Sequence, residues 1–258
     1  MSAPIEFSSA EKIATVILSR PDHGNTIDPA LARALLEAAE RCDDDDDIRC
    51  VVLTGRGKLF CGGGDVSAFA AAGTDVSAFL EDLAETLHAA IMRLMHMRKP
   101  LITLVNGPAA GAGMSLAMIG DFALAARSAH FSPAYTALGL SPDGGMSWLL
   151  PRVVGLRRAQ EIILSNRRVL SDEAERIGIV TRIVDGEQLL ASGAELAAKL
   201  AAEPVAALGA VRRLLLESYD STLERQLERE MRSIAALGNS EESRRRVAAF
   251  VARRNSNG

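Results

Sequence analysis

Two glycine-rich segments hold the residues best suited to chemistry. The first is Cys61-Gly62-Gly63-Gly64-Asp65 and the second is Asn106-Gly107-Pro108-Ala109-Ala110-Gly111-Ala112-Gly113. Each follows an apolar, β-type run. Glycines let a backbone approach a ligand closely and turn its N–H groups toward it. The second segment reads as opening into a helix at 111–119. The first N–H groups of a helix lack intrahelical partners and carry partial positive charge. Together the two turns point to a pair of main-chain donors aimed at one oxygen, the arrangement of an oxyanion hole. Neither turn suits a nucleotide. The first lacks the Gly-x-Gly-x-x-Gly form, and neither ends in Gly-Lys-Ser/Thr. Cys61 lies beside the first turn without an evident histidine partner, so it is not read as a nucleophile. The acidic run at 43–47 reads as a solvated loop, because a calcium loop needs spaced ligands and a glycine turn. No metal site is expected.

The elements that must position these turns follow from periodicity and punctuation. Apolar, β-branched runs at 12–19, 48–54, 101–105 and 121–126 read as strands. Between the first two, Arg20-Pro21-Asp22-His23-Gly24-Asn25 is turn chemistry. Asp28 then suits an N-cap and Pro29 a first helical position, and Leu31, Ala34, Leu35, Ala38 and Ala39 share one helical face. A helix is expected at 75–97, stopped by Lys99-Pro100. After Pro151 the text is mostly helical, with Ser171 as an N-cap and Gly178 as a stop. Three helices and no strand are expected from 187 to 254, punctuated by Pro204 and Gly238-Asn239.

Bulk properties bound the answer. With 258 residues and 48% hydrophobic content, the chain is long enough for one large core or a core with an appendage. A net charge of −4, with both signs interspersed, gives no reason to expect nucleic acid or an anionic membrane as partner. Three cysteines, Cys42, Cys50 and Cys61, fit neither a zinc site nor a disulfide framework, which points to a reducing cytosol. Residues 1–10 lack a signal-peptide pattern, and no apolar run is long enough to span a membrane. The expectation is a cytoplasmic protein.

Several segments, in order, resemble the enoyl-CoA hydratase/isomerase (crotonase) superfamily. They are Thr54-Gly55 with Phe60-Cys61-Gly62-Gly63-Gly64-Asp65, then Lys99-Pro100 leading to Asn106-Gly107, then Gly111-Ala112-Gly113-Met114-Ser115-Leu116-Ala117, Asp121, and Leu150-Pro151-Arg152-Val153-Val154-Gly155. The resemblance implies an α/β fold, a crotonase-type spiral of ββα units at 1–190 with a C-terminal helical trimerisation region at 191–258. It implies a homo-trimer or a hexamer built as a dimer of trimers. Its substrates would be acyl-CoA thioesters, with coenzyme A part of the substrate and no permanently bound cofactor. By the match, the oxyanion donors are the backbone N–H groups of Gly64 and Ala112.

The departures carry information too. Hydratases of this family use two glutamates to hold and activate water, and those positions match Ser115 and Tyr135, neither of which is a carboxylate acid/base near neutral pH. One carboxylate remains nearby, Asp143, within Gly139-Leu140-Ser141-Pro142-Asp143-Gly144-Gly145. Spacing alone favours Asp143 as the N-cap of a helix beginning near Gly144-Gly145. The resemblance implies a proton shuttle, as in double-bond and ring-epoxide isomerases of the family. That isomerase role is the favoured expectation; the alternative is a 4-halobenzoyl-CoA dehalogenase-like or hydrolytic role, with Asp143 as nucleophile and His88 as the base for water. The tryptophans that grip the aryl ring in that group are replaced here by Leu87 and Tyr135. A non-enzymatic structural or RNA-binding homologue is the third alternative, and the acidic balance weighs against RNA. The remaining expected substrate contacts are Gly62, Gly63, Asp65, Gly111, Ser115, Tyr135, Leu138, Leu140 and Trp148, with Arg20 and Lys58 facing the coenzyme A phosphates.

Overall fold

The computed structural model describes residues 3–256. The chain opens with a hairpin of β1 (Ile5–Ala10) and β2 (Ile13–Leu18). Glu11 and Lys12 at its tip both take positive φ, 51° and 66°, the geometry of a two-residue primed turn. The strand expected from residue 12 therefore begins at Ile13, and β1 was not foreseen. Helix α1 (Pro29–Asp44) follows, and Asp28 caps it by accepting the Leu31 N–H at 2.8 Å. Strand β3 (Cys50–Gly55) leads through the first glycine turn to α2 (Val66–Ala71) and the long α3 (Val76–His96). Strand β4 (Leu101–Val105) leads through the second turn, which includes the short β5 (Ala109–Ala110), into α4 (Ala112–Met118). Then come β6 (Phe122–Ala126), β7 (His130–Ser132), α5 (Met146–Val154), α6 (Leu156–Ser165) and β8 (Val169–Leu170). Next are α7 (Ser171–Ile177) and β9 (Arg182–Val184). Ser171 is not the N-cap of α7. Leu170 holds that position, and the Ser171 hydroxyl donates instead to the Arg127 carbonyl at 2.7 Å. Gly178 does end the helix, at φ 88°.

Four helices close the described chain rather than the expected three: α8 (Leu189–Ala201), α9 (Val205–Ser218), α10 (Leu223–Gly238) and α11 (Glu241–Ser256). The unforeseen break lies at 219–222, where Thr222 caps α10 by accepting the Arg225 N–H. Neither glycine nor proline marks it. Helix α8 straddles the boundary expected at residue 190 and packs on the sheet, and the tail beyond the core layers begins at α9. Arg212 ties α9 down through Asp121 at 2.7 Å and the Leu94 carbonyl at 3.1 Å. Helix α10 buries no side chain and exposes Leu223, Leu227, Met231 and Ile234 along one stripe.

The main sheet has the order β1-β2-β3-β4-β6-β9; only β1 runs antiparallel to its neighbour. A smaller sheet pairs β5 with β7 and β7 with β8. Strands β3 and β4 are buried along their whole length because both faces of the sheet are covered. Val51, Leu53, Leu101 and Val105 join the larger core under α1 and α3. Cys50, Val52, Ile102 and Leu104 meet Leu189, Ala197 and Ala201 on the other side, three side chains from α8 and its first turn. The consequence for function is geometric. β3 and β4 are adjacent and parallel, with Thr54 opposite Leu104, so both glycine turns leave the same edge of the sheet.

Candidate active site

Two asparagine side chains, buried Asn25 and partly exposed Asn106, shape the loop between β3 and the first turn. Asn106 accepts the Gly55 N–H at 3.1 Å and donates to the Gly57 carbonyl at 2.9 Å. Asn25 donates to the Leu59 and Arg56 carbonyls at 2.8 and 3.0 Å. The two turns then lock together through their backbones. The Cys61 carbonyl accepts the Ala110 N–H at 2.9 Å, and the Pro108 carbonyl accepts the Phe60 N–H at 3.1 Å. Gly63 has φ 92°, and a Cβ there would lie 2.7 Å from the Ala110 carbonyl oxygen. A Cβ at Gly113 would lie 2.2 Å from the Cys61 carbonyl oxygen. Both positions therefore require glycine because two main chains touch.

The amides that this packing leaves over are the central observation. In the bridge between Ile27 and Gly64, the hydrogen bonds are made by Ile27 N–H to Gly63 at 2.7 Å and by Asp65 N–H to Ile27 at 3.0 Å. Among the described residues, the Gly64 N–H has no acceptor. Ala112 is the first residue of α4, and its N–H also has no acceptor, while Met114 and Ser115 both donate to the Gly111 carbonyl. Gly64 and Ala112 line one cavity of about 490 Å³. Its other walls are α2, α3 and the segment from Ser132 to Asp143, with Phe69, Leu83, Leu87 and Leu140 among the apolar surfaces.

Asp143 lines the same cavity. The helix-capping alternative does not hold: Gly145 is the N-cap of α5, with no side-chain cap bond. The Asp143 carboxylate instead accepts the Tyr135 hydroxyl on Oδ1 at 2.6 Å, and its Oδ2 lies 4.0 Å from His88 Nε2. His88 Nε2 accepts the Gly144 N–H at 3.0 Å, which assigns that nitrogen as the unprotonated one. Ser115, fully buried on α4, donates to the Asp143 carbonyl at 3.1 Å. Burial, the neighbouring Asp143 charge and the hydrogen bond to it push the Tyr135 phenol far above its ordinary value. The phenol is a standing donor near neutral pH. Burial likewise pushes the Cys61 thiol up to about 12.

The expected contact residues divide into three groups. Gly62, Gly63, Gly111, Tyr135, Leu138 and Leu140 line the cavity with Gly64, Ala112 and Asp143. Ser115 and His88 stand behind or beside the Asp143 turn and act on it rather than on the cavity wall. Trp148, Asp65 and Arg20 do not line this cavity. Trp148 faces a separate cavity of about 440 Å³, where the Arg152 guanidinium lies 3.9 Å over its ring. Asp65 caps α2 by accepting the Ser67 N–H at 3.1 Å. Arg20 is bound to Asp28 at 3.0 Å and Asp65 at 3.4 Å, so its charge is spent inside the fold. Among the described residues, no group of three or more His, Cys, Asp or Glu is placed to hold a metal, and no helix is long and apolar enough to cross a membrane.

The sequence profile of the enoyl-CoA hydratase/isomerase family matches residues 8–257. This chain belongs to the crotonase superfamily. It is 37% identical over 252 residues to the 1,2-epoxyphenylacetyl-CoA isomerase of Escherichia coli, covering 96% of this chain and 95% of that one. It is 32% identical over 247 residues to a 4-chlorobenzoyl coenzyme A dehalogenase of Arthrobacter, covering 95% and 90%. Among solved structures, an enoyl-CoA hydratase from Polaromonas superposes with a TM-score of 0.92 at 31% identity, covering 96% of this chain and 97% of that one. The protein is thus an acyl-CoA-processing enzyme of the crotonase fold, and its similar relatives carry isomerase, hydratase and dehalogenase names. Sequence reasoning missed the crotonase cavity's apolar wall from α2 and α3, although Asp65 before an apolar run was a usable helix-start signal. It also missed the Tyr135–Asp143 hydrogen bond, which no local spacing rule encodes.

Proposed function

We propose that the protein is an acyl-CoA isomerase that uses Asp143 as its proton-transfer group and the Gly64 and Ala112 amides as its oxyanion hole. One observation carries this reading: two partnerless main-chain N–H groups and a single carboxylate line the same cavity. The thioester oxygen sits between the amides. The Asp143 carboxylate removes a proton from a carbon adjacent to the thioester carbonyl. The electron pair delocalises onto the thioester oxygen, where the two donors stabilise the negative charge. The protonated acid then returns the proton to a different carbon of the conjugated system, and the double bond has moved with no net change in atoms. Water activation in the hydratase manner has no carboxylate pair here, because Ser115 and Tyr135 stand where the resemblance places the two glutamates. The exposed apolar stripe of α10 supports self-association as a trimer or a hexamer.

The test is a product screen of the purified enzyme against 2-enoyl, 3-enoyl, ring-epoxide and 4-halobenzoyl CoA esters, run beside Asp143→Asn. Isomerised products with the native enzyme are expected, with turnover lost and thioester binding kept in the variant. Unchanged turnover by Asp143→Asn removes the aspartate from the mechanism.

A second reading rests on the 4.0 Å approach of His88 to Asp143, which suits a nucleophilic aspartate with a histidine for the hydrolytic water. The Gly144 N–H already occupies the imidazole lone pair that such a base needs, which favours the first reading. Single turnover in labelled water separates the two, since label in the Asp143 carboxyl follows only from an ester intermediate.

A further inference from the structure

Asp143 is held by more groups than a solvent-facing carboxylate requires. Its two oxygens are inequivalent. Oδ1 accepts the Tyr135 hydroxyl at 2.6 Å, and Oδ2 makes no hydrogen bond among the described residues. The same hydroxyl lies 3.3 Å from the Asp143 backbone carbonyl, which also accepts from Ser115 at 3.1 Å. Behind the turn, the Gly144 N–H is fixed by His88 at 3.0 Å. Tyr135 therefore reaches both the main chain and the side chain of one residue, across a segment exposed from Thr136 to Gly139.

We infer that Tyr135 is the positioning residue of this site, its hydroxyl pinning Oδ1 of Asp143 so that Oδ2 is the oxygen presented to the substrate carbon. The inference rests on the isomerase reading above and adds to it which oxygen reacts and what aims it. A phenol this well shielded is a poor proton donor in its own right, so its contribution is to hold and to tune rather than to transfer. A donor to a carboxylate favours the ionised form, and Asp143 must be ionised to take a proton. The titratable groups facing the carboxylate are Tyr135 from the loop and His88 from α3. Helix α4 offers only Ser115, and the charged residue of α5, Arg152, stacks on Trp148 and Tyr219 by the other cavity.

The experiment compares native enzyme, Tyr135→Phe and Asp143→Asn. Readouts are the pH profile of kcat/KM and the carboxyl titration of Asp143, followed by carbon NMR on aspartate-labelled protein. Asp143→Asn identifies the resonance. In Tyr135→Phe the ring stays and only the donor at 2.6 Å goes, so the transition of the Asp143 carboxyl resonance and the acid limb should both move toward higher pH. On the plateau, kcat should fall on the order of tenfold with KM little changed, the signature of lost orientation. The chain has only two tyrosines, Tyr135 and Tyr219, so 3-fluorotyrosine incorporation in a Tyr219→Phe background labels position 135 alone. That stronger phenolic donor should move the same titration down. The fluorinated enzyme also decides the matter should Tyr135→Phe fail to fold. An Asp143 titration unmoved by both changes overturns the inference, whatever the activity. Turnover that survives Asp143→Asn sinks the isomerase reading instead, and the titration still reports on Tyr135.

Discussion

Replacing Ala112 with proline tests the oxyanion hole by deleting one main-chain donor. Proline lacks an N–H and is favoured at the first position of a helix, where Ala112 begins α4. The preceding residue also accommodates it. Gly111 has φ 52° and ψ −127°, the mirror image of the extended conformation that residues before proline prefer, and glycine has no Cβ to clash with the ring. The Ala112 N–H bonds to nothing among the described residues, so none of their hydrogen bonds is lost on substitution. The folded state should therefore lose less than about 1 kcal/mol, and the melting temperature should stay within about 3 °C of native. The transition state, by contrast, loses one of two donors to a developing oxyanion. Such a deletion costs about 2.7–4 kcal/mol, or on the order of 100- to 1,000-fold in kcat. Ala110→Pro is the matched control. It removes an N–H that the Cys61 carbonyl accepts at 2.9 Å, so it should destabilise the fold as well as the activity. Steady-state turnover, thioester binding by calorimetry and thermal unfolding together read the result. A folded Ala112→Pro enzyme with native kcat refutes the assignment. A loss of ground-state binding as large as the loss of kcat/KM would mean that the ring blocks the cavity, and would refute it too.

Other expectations follow from single contacts. His88→Gln keeps an acceptor for the Gly144 N–H, so kcat should stay within about tenfold of native, whereas an obligatory histidine base would cost 100-fold or more. Gly113→Ala should lower stability by about 1–3 kcal/mol in urea unfolding, because its Cβ would meet the Cys61 carbonyl oxygen at 2.2 Å and backbone must give way. All three thiols are buried and pushed up to about 12, so native protein at pH 8 should resist an aromatic disulfide reagent and release three equivalents only on denaturation. The sign for stability follows: a folded-state thiol value of about 12 against 9.0 for a free thiol gives stability that is whole below pH 9 and drains away between pH 9 and 12. A urea midpoint that stays flat across that window would contradict it.

Local physics made most of the core legible. Continuous apolar runs mark β3 and β4 because both faces of those strands are covered, and Asp28-Pro29 announces α1 because a cap and a proline satisfy the same helix end. Strand β1 escaped because its outer half is polar and exposed at the sheet edge, leaving no period to read. The break before α10 escaped because a threonine cap performs it without glycine or proline. Site residues were legible where the backbone demanded a residue type, as at Gly63 and Gly111. Where only a side chain's class was known, its partners were not legible: Trp148 stacks with Arg152 by the second cavity, and Arg20 is bound to two aspartates. The Tyr135–Asp143 bond joins two ends of an irregular loop, and only the folded path brings them together.

In the proposed mechanism the charge-stabilising donors, the Gly64 and Ala112 amides, belong to the main chain, and that has an evolutionary consequence. Almost any exchange of side chain leaves a peptide N–H in place, so the half of the chemistry that makes a thioester reactive is nearly immune to mutation. The other half, the choice of what happens to the activated molecule, is concentrated in a few exchangeable side chains such as those at 135 and 143. A lineage built this way can change its reaction by swapping one or two residues while its most demanding device is inherited intact.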